Sequence, residues 1–131
     1  MLKFHHIGVA VKRIEEMQSL FQNVFAGSVF SEKVLVVSQG VCVSFLDVGN
    51  NFRFEFVSQQ SGAPNAVGAF LNRNSPYYHV AFTASEFNED AKHLENCGLK
   101  RLETFKSEAF EMKRCAFFIG PDHHIIEIIE E

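Results

Sequence analysis

Phe4-His5-His6-Ile7-Gly8-Val9-Ala10-Val11 (FHHIGVAV) and Tyr77-Tyr78-His79-Val80-Ala81-Phe82 (YYHVAF) are two versions of one phrase. Each is a run of β-branched and aromatic residues, the composition of a strand, with histidine set inside it. The same order of elements follows from both. After the strand at 3–11, apolar residues fall at Ile14, Met17, Leu20, Phe21, Val24 and Phe25, the spacing of one helix face, and Gly27 ends the helix. Strand-like runs come next at 29–37, 41–48 and 52–58, parted by Gly40 and by the turn formers Gly49-Asn50-Asn51. After the second phrase, Ser85 is placed as an N-cap with Glu86, Glu89 and Asp90 in the first turn. Phe87, Ala91 and Leu94 form the apolar stripe, Gly98 stops the helix, and strand-like runs return at 99–106, 113–119 and 123–130.

The chain is therefore read as a single domain, 1–131, holding two βαβββ modules at 1–60 and 75–131. Repetition over so long a period is what an internal duplication leaves. The connection is set at 61–74, and a polar, Gly/Pro-containing stretch, Ser58 to Pro64, leads through its start. A short helical piece at 65–73 follows, with Phe70 and Leu71 as core contacts.

Composition narrows the function. The 131 residues can bury roughly two thirds of the surface of the unfolded chain. Fifteen Phe and no Trp supply the aromatic bulk. A formal charge of -4 without a Lys/Arg cluster gives no footprint for a phosphate backbone, so nucleic acid is excluded as the expected partner. No apolar run has the length of a membrane span, and the chain enters a strand at once without a signal-type apolar segment, so the expected compartment is the cytoplasm. Cys42, Cys97 and Cys115 form no CxxC pair and are read as small hydrophobes.

Four polar residues obey the repeat. His6 lies in the first strand of module one and Glu55 in its last; His79 and Glu127 occupy the matching places in module two. Because strand side chains alternate between faces, Phe54 and Phe56, or Ile126 and Ile128, would pack toward the helices and leave Glu55 and Glu127 on the opposite, concave face. Singly, a strand His or Glu is an ordinary hydrogen-bonded or solvated residue. Together, two imidazoles and two carboxylates at equivalent points converge on one centre, and the set suits a divalent ion such as Ni, Zn, Co, Mn or Fe. Of the paired histidines, His6 is the expected ligand and His5 the one facing away, structural or supporting. Arg53 shares the face of Glu55 and is open to two readings, an anion binder or the partner of a carboxylate. His123 and His124 are read as turn residues and His93 as a surface residue.

With these residues in place, the chain resembles the vicinal oxygen chelate superfamily, whose members include glyoxalase I, methylmalonyl-CoA epimerase, extradiol dioxygenases and the fosfomycin and bleomycin resistance proteins. The likeness covers essentially the whole length, through HHIGVAV, QGVCVSFLDVGNNFRFEFV, AVGAFLNRN, YHVAF and HIIEIIE. It implies an α+β fold: a curved, mostly antiparallel, eight-stranded half-barrel with helices outside. It also implies a metal on His6, Glu55, His79 and Glu127, and commonly a homodimer. The implied activity is that of a divalent-metal-dependent isomerase or lyase, which moves a proton next to a carbonyl through a chelated enolate with Glu127 or Glu55 as base. The nearest look is to methylmalonyl-CoA epimerases, but Ser38 stands where those enzymes carry a proton-shuttling carboxylate, which points to another small acyl or hydroxycarbonyl substrate. Tyr77, Tyr78 and Phe110 are placed around a more aromatic pocket. Two alternatives remain: a non-enzymatic binder of the bleomycin-resistance type, and an Fe(II) dioxygenase, whose usual two His and one carboxylate leave a fourth protein donor in the way of oxygen.

Overall fold

The computed structural model describes residues 1–60 and 75–131. Among them nine strands form one open sheet: β1 (Leu2–Val11), β2 (Val29–Phe30), β3 (Val34–Val36), β4 (Val41–Gly49), β5 (Phe52–Gln59), β6 (Tyr77–Ala84), β7 (Lys100–Ser107), β8 (Lys113–Ile119) and β9 (Ile125–Glu130). Two helices, α1 (Ile14–Val24) and α2 (Phe87–Asn96), complete the two halves, β1-α1-β2-β3-β4-β5 and β6-α2-β7-β8-β9. The order is β2-β4-β5-β1-β6-β9-β8-β7, with β3 also on β4. β1 pairs parallel with β5, and β6 with β9; the remaining ladders are antiparallel. β1 and β6 thus lie side by side in the middle, and each half repeats outward from that seam.

The expected eight strands become nine because the run 29–37 breaks at Ser31. The Ser31 hydroxyl takes the Phe45 N–H at 2.8 Å, a ladder position, and the chain leaves the sheet before β3 resumes at Val34. A short polar side chain competing for a backbone donor ends a strand in this way. The helical piece expected at 65–73, with Phe70 and Leu71, lies outside the described residues.

The helices cover one face of the sheet. Ile14, Met17, Phe21 and Phe25 pack on Leu46, Phe54 and Phe56, while Phe87, Ala91 and Leu94 pack on Ala116, Phe118, Ile126 and Ile128. Leu20 and Val24 were expected in the α1 stripe, yet they are exposed. At 100° per residue they fall on the flank of the helix, and Gln18 instead turns inward and donates to Ser44 Oγ at 3.0 Å. Ser85 does not cap α2: the cap position is Glu86, and the Ser85 hydroxyl accepts from the N-terminal amine. Gly98, at φ +98°, does end α2 as expected, with Leu99 N–H bonding back to Leu94 O at 3.1 Å.

The sheet curls away from its helices until its ends touch. The turn after β3 reaches β7 through Ser38 Oγ to Lys106 O at 3.2 Å and Gln39 Nε2 to Glu103 Oε2 at 3.3 Å. The concave face is therefore a cup floored by β1, β5, β6 and β9.

Candidate metal centre

Strand register brings the four repeated polar residues to the floor of this cup. Across the seam Gly8 pairs with His79 and His6 with Ala81; outward, Gly8 pairs with Glu55 and Ala81 with Glu127. The sheet thus carries two antiparallel rows, Phe45-Glu55-Gly8-His79 and Phe117-Glu127-Ala81-His6. Each row ends on a histidine that lies over the other half. Gly8 is required here: a Cβ on it would lie 2.2 Å from His79 Cε1.

The donor atoms converge. His6 Nε2 and His79 Nε2 are 2.9 Å apart; Glu55 Oε1 lies 3.6 and 3.5 Å from them, and Glu127 Oε2 3.4 and 3.2 Å. All four side chains are buried, at 0–5 % exposure. Burial opposes a charge on His6, but the Glu55 and Glu127 carboxylates outweigh it and hold its pKa up, at about 9. Burial likewise opposes the Glu127 charge, and the two imidazoles overcome it, keeping that carboxyl well below the usual carboxylate range.

Whether a metal fits can be read from the same atoms. Bonds of about 2.0–2.2 Å to one ion place neighbouring donors roughly 3.0–3.5 Å apart, and the five separations that involve an imidazole run from 2.9 to 3.6 Å. Glu127 Oε2, although buried beside both imidazoles, accepts no well-formed hydrogen bond among the described residues. An orphaned buried oxygen within a two-His, two-Glu set whose donor atoms all lie within 4.8 Å of one another is one that a divalent ion would satisfy. The residues present fit the group.

His5 departs from its expected place. β1 carries an extra residue between Phe4, paired with Phe82, and His6, paired with Ala81; this bulge turns the His5 side chain onto the same side as His6. Its Nδ1 lies 2.8 Å from His6 Nδ1 and its Nε2 lies 3.4 Å from Arg53 Nη1. Burial, then the neighbouring His6 and Arg53, lower the His5 pKa to about 4. The seam carries a second bulge at Tyr78, immediately before His79. Simple alternation misses both, because each depends on the partner strand.

A cavity of about 260 Å³ opens on the cluster, walled by Tyr78, Phe105, Phe110 and Phe117, with Ser38 and Glu103 also in its lining. Tyr78 and Phe110 therefore shape the pocket as expected, whereas Tyr77 lies outside it and is exposed. Glu103 escaped the sequence reading because it has no counterpart in the repeat and no motif around it. Arg53 makes no ion pair among the described residues; its cross-strand neighbour Asp47 accepts instead from Gly49 N–H at 2.9 Å. His93, His123 and His124 are exposed, as expected.

The family described as the Glyoxalase/Bleomycin resistance protein/Dioxygenase superfamily matches residues 5–118. The Bacillus subtilis (strain 168) protein called "Uncharacterized protein YqjC" is 27% identical over 118 residues, 89% of this chain and 82% of that protein. The methylmalonyl-CoA epimerase of Mycobacterium tuberculosis superposes with a TM-score of 0.81 at 18% identity, covering 97% of this chain and 86% of that one. A Streptomyces coelicolor methylmalonyl-CoA epimerase in complex with 2-nitronate-propionyl-CoA gives 0.80 at 19% identity, covering 98% and 94%. At such identities the structures speak for the fold alone.

Proposed function

The chain belongs to the Glyoxalase/Bleomycin resistance protein/Dioxygenase superfamily, and from that premise we propose that it is a divalent-metal-dependent isomerase or lyase that moves a proton next to a carbonyl. The observation that carries this reading is the convergence of His6, Glu55, His79 and Glu127, one buried donor from each of the four floor strands. These residues would hold a single Ni, Zn, Co, Mn or Fe ion. When bound, the ion supplies Lewis acidity that stabilises negative charge developing on a carbonyl oxygen. The protein's own groups do the rest. Glu127, whose Oε2 lies 3.4 Å from His6 Nε2 and 3.2 Å from His79 Nε2, is the carboxylate placed to carry the proton, with Glu55 in the mirror position as the other candidate. The Tyr78, Phe105, Phe110 and Phe117 walls keep water from the reacting carbon and hold an acyl chain. His5 fixes the orientation of the His6 ring through Nδ1.

Ser38 lines the cavity with its hydroxyl turned to Lys106 O, so this position supplies no base, and the substrate class is a small acyl or hydroxycarbonyl compound. CoA-linked acyl compounds fall in that class, since the Streptomyces coelicolor epimerase is seen with one. A single domain of two modules, 1–60 and 75–131, a homodimer and a cytoplasmic location belong to the same proposal. Among the described residues β2 and β7 end the ladder order of the sheet, and the three cysteines are free thiols. No described helix is long and apolar enough to cross a membrane.

Elemental analysis of the purified protein should find close to one divalent ion per chain, with the ion lost in His79→Ala. Small acyl thioesters in D2O should then take up deuterium next to the carbonyl, and Glu127→Gln should stop the exchange. Failure of the gently purified protein to bind any divalent metal at micromolar concentration would overturn the proposal.

A further inference from the structure

The cavity over the metal centre has a mouth that the proposed chemistry leaves unused. Among its described lining residues Ser38, Leu102 and Glu103 are exposed, whereas Glu55, His79 and Glu127 lie at the buried end, so the mouth runs between β7 and the turn after β3. A bulge sets a carboxylate there. Arg101 pairs with Phe118 and the next pair is Glu103 with Phe117, so the extra residue, Leu102, turns Glu103 toward the cup. In an unbroken ladder Leu102 would stand opposite Phe117 and Glu103 would face the helices. Glu103 thereby extends the row Phe117-Glu127-Ala81-His6 by one strand. Its backbone lies two strand spacings, roughly 10 Å, from that of Glu127.

We infer that Glu103 is a specificity-determining residue: it receives a hydrogen-bond donor, an ammonium above a hydroxyl, on the end of the substrate away from the metal, and it rejects a carboxylate there. This rests on the metal reading proposed above. Charge carries the argument. A divalent ion balances Glu55 and Glu127, which leaves Glu103 as the uncompensated charge of a described lining that holds no Lys or Arg. The arginine of its own strand is engaged elsewhere, since Arg101 lies over the Phe118 ring on the helix face and 3.0 Å from Glu95. Glu103 itself makes no ion pair among the described residues. Gln39 Nε2 donates to its Oε2 at 3.3 Å, which orients the carboxylate and leaves Oε1 to accept from a ligand. Between mouth and floor the walls are apolar, with Val36, Phe105 and Phe117 among them, so a substrate chain can run from the ion to Glu103. An ammonium at its end gains a charge-assisted hydrogen bond, and a carboxylate meets like charge beside an apolar wall.

Calorimetric titration of the metal-loaded protein tests this with hydroxamates, which chelate a divalent ion through two adjacent oxygens and here differ in the tail. γ-Aminobutyrohydroxamate should bind about tenfold more tightly than the apolar valerohydroxamate, with γ-hydroxybutyrohydroxamate between them and succinate monohydroxamate about tenfold weaker than valerohydroxamate. Glu103→Gln should shrink these differences to within about threefold and leave the Kd of valerohydroxamate unchanged, and Glu103→Lys should reverse the order. Both variants change an exposed side chain, and thermal melting checks that they fold. Tails that bind alike in the parent, or an order that survives in Glu103→Lys, would overturn the assignment and leave the metal reading standing. Valerohydroxamate that fails to bind, or binds equally in chelator, would overturn the metal reading and this inference with it.

Discussion

Replacing Gly8 by Ala tests how tightly the strand register holds the donor cluster. The φ of Gly8 lies outside the left-handed region, so alanine is acceptable to the backbone, and the whole effect arises from space. The added methyl would lie 2.2, 2.4 and 2.6 Å from Cε1, Nδ1 and Nε2 of His79. Restoring ordinary contact at about 3.5 Å demands that the ring retreat by roughly 1 Å. It has no free path, because the Tyr78 ring stands 4.7 Å and the Phe117 ring 5.5 Å from it, centroid to centroid. Overpacking of this kind costs about 1–3 kcal/mol. A metal ligand tolerates only about 0.2 Å of displacement, so metal affinity should fall by more than the ~10–100-fold seen when an outer supporting residue is lost. Calorimetric metal titration and thermal melting of the metal-free protein read the two effects separately. A Gly8→Ala protein that binds metal as tightly as the parent and melts no lower would refute the steric argument and the register behind it.

Other consequences follow from the same geometry. In chelator, stability should peak near pH 6.5. Between about pH 4 and 6.5 the unfolded chain holds a proton on His5 that the folded state excludes, so stability rises with pH; above 6.5 the folded state retains a proton on His6 that the unfolded chain loses, so stability falls until about pH 9. Melting temperatures across that range give the answer, and a maximum at pH 9 would contradict it. Phe118→Ala, at a fully buried site under α2 on the face away from the cup, should cost about 3–5 kcal/mol in urea unfolding yet leave metal uptake intact. With a thiol reagent, exposed Cys97 should react in the native protein. Cys115, buried and with its thiol pKa pushed up by burial, should react only on unfolding, and equal rates would show that its core is open.

The sequence by itself determined the doubled βαβββ order, the helix at 14–24, the outward turn of Phe54, Phe56, Ile126 and Ile128, and the choice of four polar residues. These were legible because periods of 2 and 3.6 are local properties of the chain, and because a duplication writes the same residue at the same place twice. Only the tertiary structure decided that His5 turns into the cup, that Ser31 splits a strand, that Glu103 joins the cavity wall, and that Arg53 comes within 3.4 Å of His5. Each of these rests on which strand lies alongside and in what register. Bulges are set by cross-strand pairing and cavities by the curl that brings β3 to β7, and neither leaves a mark in a single strand's pattern.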